Sequence, residues 1–138
     1  MSIENPSKER LKEILKNAKT IAVVGLSANP ERTSHQIAKR MQEEGYKIIP
    51  VNPTLDEVLG EKAYSTLAEI EESIDIINVF RRPEYLMDVA KDAVQTDCKM
   101  FWAQQGIINK EAYDFLKEHD FEVVMDLCIK VVHAVLLK

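Results

Sequence analysis

The hydrophobic pattern along the chain alternates between two periods. Short, nearly continuous apolar runs occur at residues 20–26 (TIAVVGL), 46–51 (YKIIPV), 75–80 (DIINVF), 98–103 (CKMFWA) and 121–125 (FEVVM). Between them lie longer stretches whose apolar residues recur every three or four positions. The runs read as strands covered on both faces, and the stretches as amphipathic helices. Asn5-Pro6 predicts a helix start, with Asn5 as cap and Pro6 in the first turn, followed by Leu11, Ile14, Leu15 and Ala18 on one face. Thr33 is expected to cap a second helix, with Gln36 three residues on. That helix buries Ile37, Ala38 and Met41 and stops at Gly45. One helical turn is expected at 56–60 and a short helix at 66–71. Pro83 opens a helix with a stripe of Leu86, Val89, Ala90, Ala93 and Val94, and Asn109 caps another carrying Ala112, Phe115 and Leu116. Asp126 is expected to cap a final helix that is apolar all round. Such a helix is either deeply packed or a contact with another copy or a protein partner.

Strands alternating with helices predict an α/β fold: a Rossmann-like, doubly wound parallel sheet of about five strands with helices on both faces. The expected strand order is 3-2-1-4-5, and residues 1–138 are expected to form one domain. Ligands in such sheets sit outside the carboxyl ends of the strands, where the winding reverses. That draws attention to the loops that follow Leu26, Val51, Phe80 and Ala103.

Composition narrows the possible partners. With 138 residues, 46% hydrophobic and 30% charged, the chain is an ordinary globular sequence. A net charge of −5 gives no basic footprint for nucleic acid. The polar N-terminus and the lack of a long apolar run point away from a membrane and towards a soluble, cytoplasmic protein. Cys98 and Cys128 are not spaced as a redox or zinc pair, and both read as buried, reduced thiols.

The first loop, from Gly25 to Ser34, joins a strand to a helix start, where free amides favour an anion. Arg32 can add charge there, and the Thr33 and Ser34 hydroxyls can add donors. It is neither the three-glycine dinucleotide fingerprint nor a Walker A loop. The second strand ends in Val51-Asn52-Pro53, without the acidic residue that holds a ribose diol. Phe80-Arg81-Arg82-Pro83 places two guanidinium groups at a strand end, suited to phosphate oxygens. Plain solvation, or pairing with Glu84 and Asp88, is the structural alternative. In the fourth loop Gly106 permits a close turn, Gln104 and Gln105 supply amides, and Trp102 reads as a core residue.

Taken together, GLSANPERTS, VNP, NVFRRPE, WAQQGI and VVMDLCI resemble, in this order, the stand-alone CoA-binding proteins. The fold of that family is similar to the nucleotide-binding N-terminal domain of the succinyl-CoA synthetase alpha subunit. The resemblance covers residues 18–137. It implies coenzyme A as ligand and places Gly25, Ser27, Pro30, Arg32 and Ser34 in a phosphate loop. It further implies Val51, Asn52 and Pro53 on the adenine or ribose side, Phe80, Arg81, Arg82 and Pro83 along the nucleotide and pantetheine path, and Gln104, Gly106 and Ile107 closing the site. Gln105 and Leu127 depart from the family pattern, which often has Leu at the first position and Arg at the second. The resemblance does not imply the thioester chemistry that the synthetase performs through its phosphorylated histidine loop.

No residue pattern here points to catalysis or to a metal. His35 reads as a solvated residue of the phosphate helix or a phosphate contact, His119 as exposed, and His133 as a core or interface residue. None has a metal-ligand partner at helical spacing. Non-catalytic binding of CoA or an acyl-CoA is the reading the sequence favours. An NAD(P)- or acyl-CoA-linked enzyme, and an interaction subunit with a vestigial nucleotide site, remain open alternatives.

Overall fold

A computed structural model describes residues 3–137. Five parallel strands, β1 (Thr20–Val24), β2 (Lys47–Val51), β3 (Ile76–Val79), β4 (Met100–Ala103) and β5 (Glu122–Val124), form one sheet. Helices α1 (Lys8–Asn17), α2 (Thr33–Glu43), α3 (Leu86–Ala93), α4 (Lys110–Glu118) and α5 (Ile129–Leu137) flank it. α5 packs on α1 and α2, while α3 packs on α4. β1, β3 and β4 are buried along nearly their whole length, as a sheet with both faces covered requires. Ile21, Ile76, Ile77, Phe101 and Trp102 fill its centre, each contributing roughly 1.5–3 kcal/mol by burial. The helices bury their predicted faces: Leu11, Ile14 and Leu15 in α1, Ile37, Ala38 and Met41 in α2, and Leu86, Val89, Ala90 and Ala93 in α3.

The expected α/β class is found, but the strand order is corrected. The sheet runs β2-β1-β3-β4-β5, not 3-2-1-4-5. β1 pairs with both β2 and β3. The cause lies in residues 52–75. Tyr64 bridges Val51 in parallel on the free edge of β2, donating to the Pro50 carbonyl at 3.0 Å while its own carbonyl accepts from Asn52 N–H at 2.8 Å. That edge is where a 3-2-1 order would put β3, so the chain returns across β1 instead. The winding therefore reverses between β1 and β3, the switch point of the 2-1-3-4-5 arrangement.

Several local expectations change as well. Residues 56–60 do not make a helical turn: Glu57–Val58 pairs antiparallel with Glu61–Lys62 as a small hairpin. The short helix expected at 66–71 is one 3-10 turn, Leu67–Glu69, closed by a Thr66/Glu69 capping box. A 3-10 turn, Pro83–Tyr85, precedes α3. Ser7, not Asn5, caps α1. Asn5 instead pairs with the Met125 backbone through both its amide nitrogen and its oxygen. Asp126 does not cap α5; it has φ +65 and accepts from Gly106 N–H at 2.7 Å. α5 buries Ile129 and His133, whereas Val131 and Val135 are exposed. Among the described residues no helix is long and apolar enough to cross a membrane.

Candidate functional site

The carboxyl ends of β1, β2 and β3 open into a cleft of about 780 Å³, within the size range of small-molecule sites. Its walls include Gly25, Val51, Asn52, Pro53, Phe80 and Arg81, six of the residues expected from sequence. Gly25 sits at the switch point with φ +85, and a Cβ there would stand 2.5 Å from the Phe80 carbonyl oxygen. Only glycine lets β1 and β3 approach so closely at this place. Its N–H donates to the Val51 carbonyl at 2.9 Å, so three strand ends meet at one residue.

The rest of the first loop is not among the cleft walls. It is built on its own side chains: Ser34 Oγ accepts from Ser27 N–H, Ser27 Oγ from Asn29 N–H, and Asn29 Oδ1 from Glu31 N–H, each at 3.0 Å. Arg32, not Thr33, occupies the cap position of α2, without a side-chain hydrogen bond to the helix. Gln36 reaches back to the Pro30 and Glu31 carbonyls rather than completing a capping box. Among the described residues the amides of Thr33, Ser34 and His35 have no protein acceptor. They lie at the positive end of the helix dipole.

His35 is buried rather than solvated. Its Nδ1 lies 2.8 Å from the Ser27 carbonyl oxygen. A carbonyl only accepts, so Nδ1 carries the proton. The imidazole thus braces the loop.

Asn52 ties the first and second loops together. Its amide donates to the Leu26 carbonyl at 3.0 Å, and its oxygen accepts from the Thr54 N–H and hydroxyl. With the acceptor occupied, only the second amide hydrogen remains for a ligand.

In the third loop, Arg81 lies half-buried across the switch point and Arg82 is exposed beside Pro83. The pairing with Glu84 or Asp88 weighed from sequence does not occur: among the described residues Arg32, Arg81 and Arg82 form no ion pair. Of the three, only Arg81 lines the cleft.

The fourth loop is less direct. Gln104, Gly106 and Ile107 do not line the cleft. Gln104 is buried, and its oxygen accepts from Asn78 Nδ2 and Ile129 N–H, both at 3.2 Å. It joins β3, β4 and the start of α5. Gly106 is held by Asp126. Trp102 is fully buried, and its indole N–H donates to the Leu127 carbonyl at 2.9 Å.

Thr54, Ser65, Thr66, Tyr85, Asp88 and Asp92 also line the cleft and were missed from sequence. They come from the irregular 52–75 segment, the Pro83–Tyr85 turn and α3, where no motif marks them. Asp92 is already engaged, accepting from the Leu67 and Ala68 amides. Of the two thiols, Cys98 is buried as expected and its pKa is pushed up to about 11, chiefly by desolvation. Cys128, just before α5, is only half-buried.

Comparison with known proteins gives the family. A family model described as "CoA binding domain" matches residues 19–134. The Bacillus subtilis (strain 168) protein YneT is 61% identical over 133 residues, covering 96% of this chain and 98% of its own. The alpha subunit of the ADP-forming acetate–CoA ligase II of Pyrococcus furiosus is 38% identical over 61 residues; the match covers 44% of this chain and only 13% of the ligase chain. A solved protein structure from Pyrococcus horikoshii OT3 superposes with a TM-score of 0.93 at 33% identity, covering both chains completely. The chain belongs to the CoA-binding domain family.

Proposed function

We propose that the protein binds coenzyme A or an acyl-CoA at the β1–β3 switch point and presents it without transforming it. The single observation that carries this reading is the switch-point cleft of about 780 Å³, lined by Gly25, Asn52 and an Arg81 that has no carboxylate partner among the described residues, with the loop that leaves Gly25 leading to the unbonded first-turn amides of α2. Amides at a helix start and guanidinium forks both suit a pyrophosphate. The one amide hydrogen left on Asn52 suits a phosphate or adenine acceptor, and no carboxylate stands at the end of β2 to hold a ribose diol as in NAD sites. Gly25, Ser27, Pro30, Arg32, Thr33 and Ser34 would receive the phosphates. Val51, Asn52 and Pro53 would take the nucleoside side, and Phe80, Arg81, Arg82 and Pro83 the path between them. Gln104, Gly106 and Ile107 would act by holding the fourth loop and α5 in place.

Titration calorimetry with CoA, dephospho-CoA, NAD and ATP tests the assignment. CoA is expected to bind most tightly, and joint replacement Arg81→Ala with Arg82→Ala to weaken it at least about tenfold, the 1.4 kcal/mol of one good charge-assisted contact. Equal affinity in the double variant refutes the site. Turnover of an acyl-CoA by the purified protein refutes the non-catalytic role.

A further inference from the structure

Tyr85 belongs to no sequence motif of the site, yet it forms part of the cleft wall and is 41% exposed as a residue. The Arg81 guanidinium carbon lies 4.8 Å from the centroid of that ring. Arg81 also passes directly over Gly25, where a methyl group would stand 3.2 Å from its Cδ. The side chain thus runs from the tip of β1 to the Pro83–Tyr85 turn. Asp88 lines the same cleft, but no carboxylate pairs with Arg81 among the described residues.

The choice of an aromatic holder has a chemical consequence. A carboxylate would occupy the N–H fork and cancel the charge. An aromatic face attracts the cation through its quadrupole and fixes the plane of the guanidinium without using a single donor. The fork stays charged and free, and less side-chain entropy is lost when an anion arrives.

We propose that Tyr85 is a positioning residue of the anion site, its ring holding Arg81 across the switch point with all N–H donors available to a phosphate oxygen. The inference rests on the proposed function in one respect, that the anion belongs to CoA.

The test uses the full chain as wild type, Tyr85→Phe and Tyr85→Leu, each with and without Arg81→Ala. NMR of the Arg81 side chain without ligand reads the pair, and calorimetry with CoA at several salt concentrations reads the role. The Arg81 δ-protons are expected to be shifted upfield by the ring in wild type and Tyr85→Phe but not in Tyr85→Leu. Tyr85→Leu is expected to weaken CoA binding about two- to fivefold and to flatten its salt dependence, with Tyr85→Phe restoring both. In the Arg81→Ala background the leucine variant should cost nothing more. A loss that persists there means the ring touches the ligand itself and overturns the positioning role. Unshifted Arg81 protons, or a CoA affinity indifferent to leucine, overturn it too. A wild type with shifted Arg81 protons that does not bind CoA refutes the proposed function, and with it the role of Tyr85.

Discussion

Replacing Gly25 with alanine perturbs the point where β1, β2 and β3 meet, and its cost divides into two parts. The first is backbone strain. At φ +85 an L-residue loses roughly 1–2 kcal/mol. The second is steric: the new Cβ would lie 2.5 Å from the Phe80 carbonyl oxygen and 3.2 Å from the Arg81 Cδ. The arginine stem can swing aside, but the carbonyl is part of the backbone leaving β3, so that strand end must move. Overpacking of this kind costs about 1–3 kcal/mol. Gly60→Ala is the control, because Gly60 has φ +77 and open space around a Cβ; it pays for strain alone. Urea denaturation of both variants isolates the second part. Gly25→Ala should fall below Gly60→Ala by about 1–3 kcal/mol with an unchanged m-value, and the displaced β3 end should weaken CoA binding only in the Gly25 variant. Equal midpoints for the two variants refute the close approach of β1 and β3.

Three further outcomes follow from the same structure. Gln104→Ala should cost about 1–3 kcal/mol in denaturant midpoint, since the Asn78 amide and Ile129 N–H lose a buried acceptor; a change below 0.5 kcal/mol, the usual scatter of surface substitutions, contradicts that network. Glu122 accepts two hydrogen bonds from Arg10, at 2.7 and 2.5 Å, and the guanidinium holds its carboxyl below the usual range. A depressed native pKa adds stability above the unfolded pKa of about 4.3 and loses it as pH falls through the native value. Glu122→Gln should therefore cost under about 1 kcal/mol near pH 7, the pair being well exposed, and progressively less as the carboxyl is protonated in acid; a pH-independent cost refutes the linkage. Alkylation with iodoacetamide near pH 8 should label the half-buried Cys128 well before Cys98, whose thiol is buried and titrates at about 11; peptide mass spectrometry reads the order, and prior labelling of Cys98 contradicts it.

What the sequence revealed depended on how local each signal was. The apolar runs that became β1 to β5 and the stripes of α1 to α4 follow directly from burial, so class and element order were readable. The neighbours of β1 were not. They turn on Tyr64 claiming the outer edge of β2, a single bridge with no periodic signature. The site divides in the same way. Gly25 and Arg81 line the cleft where the switch-point rule and the family resemblance drew attention. Tyr85 and Thr66 could not be placed, because they enter the cleft through 3-10 turns whose faces a helical or strand period does not predict. Gln104 was found for a reason that changed: its oxygen points inward to Asn78 and Ile129 rather than toward a ligand. His35 looked solvated because the Ser27 carbonyl that buries it lies eight residues back, across a turn.

Amide chemical-shift mapping of the isotopically labelled chain during a CoA titration puts the account to its most direct trial. The largest and saturable shifts should fall on Gly25, Ser27, Thr33, Ser34, His35, Asn52, Arg81 and Arg82, at one end of the sheet. Shifts concentrated at the opposite strand ends, around Lys19, Lys47 and Lys99, or a spectrum that CoA leaves unchanged, would contradict the assignment of a pyrophosphate cradle to the β1–β3 switch point.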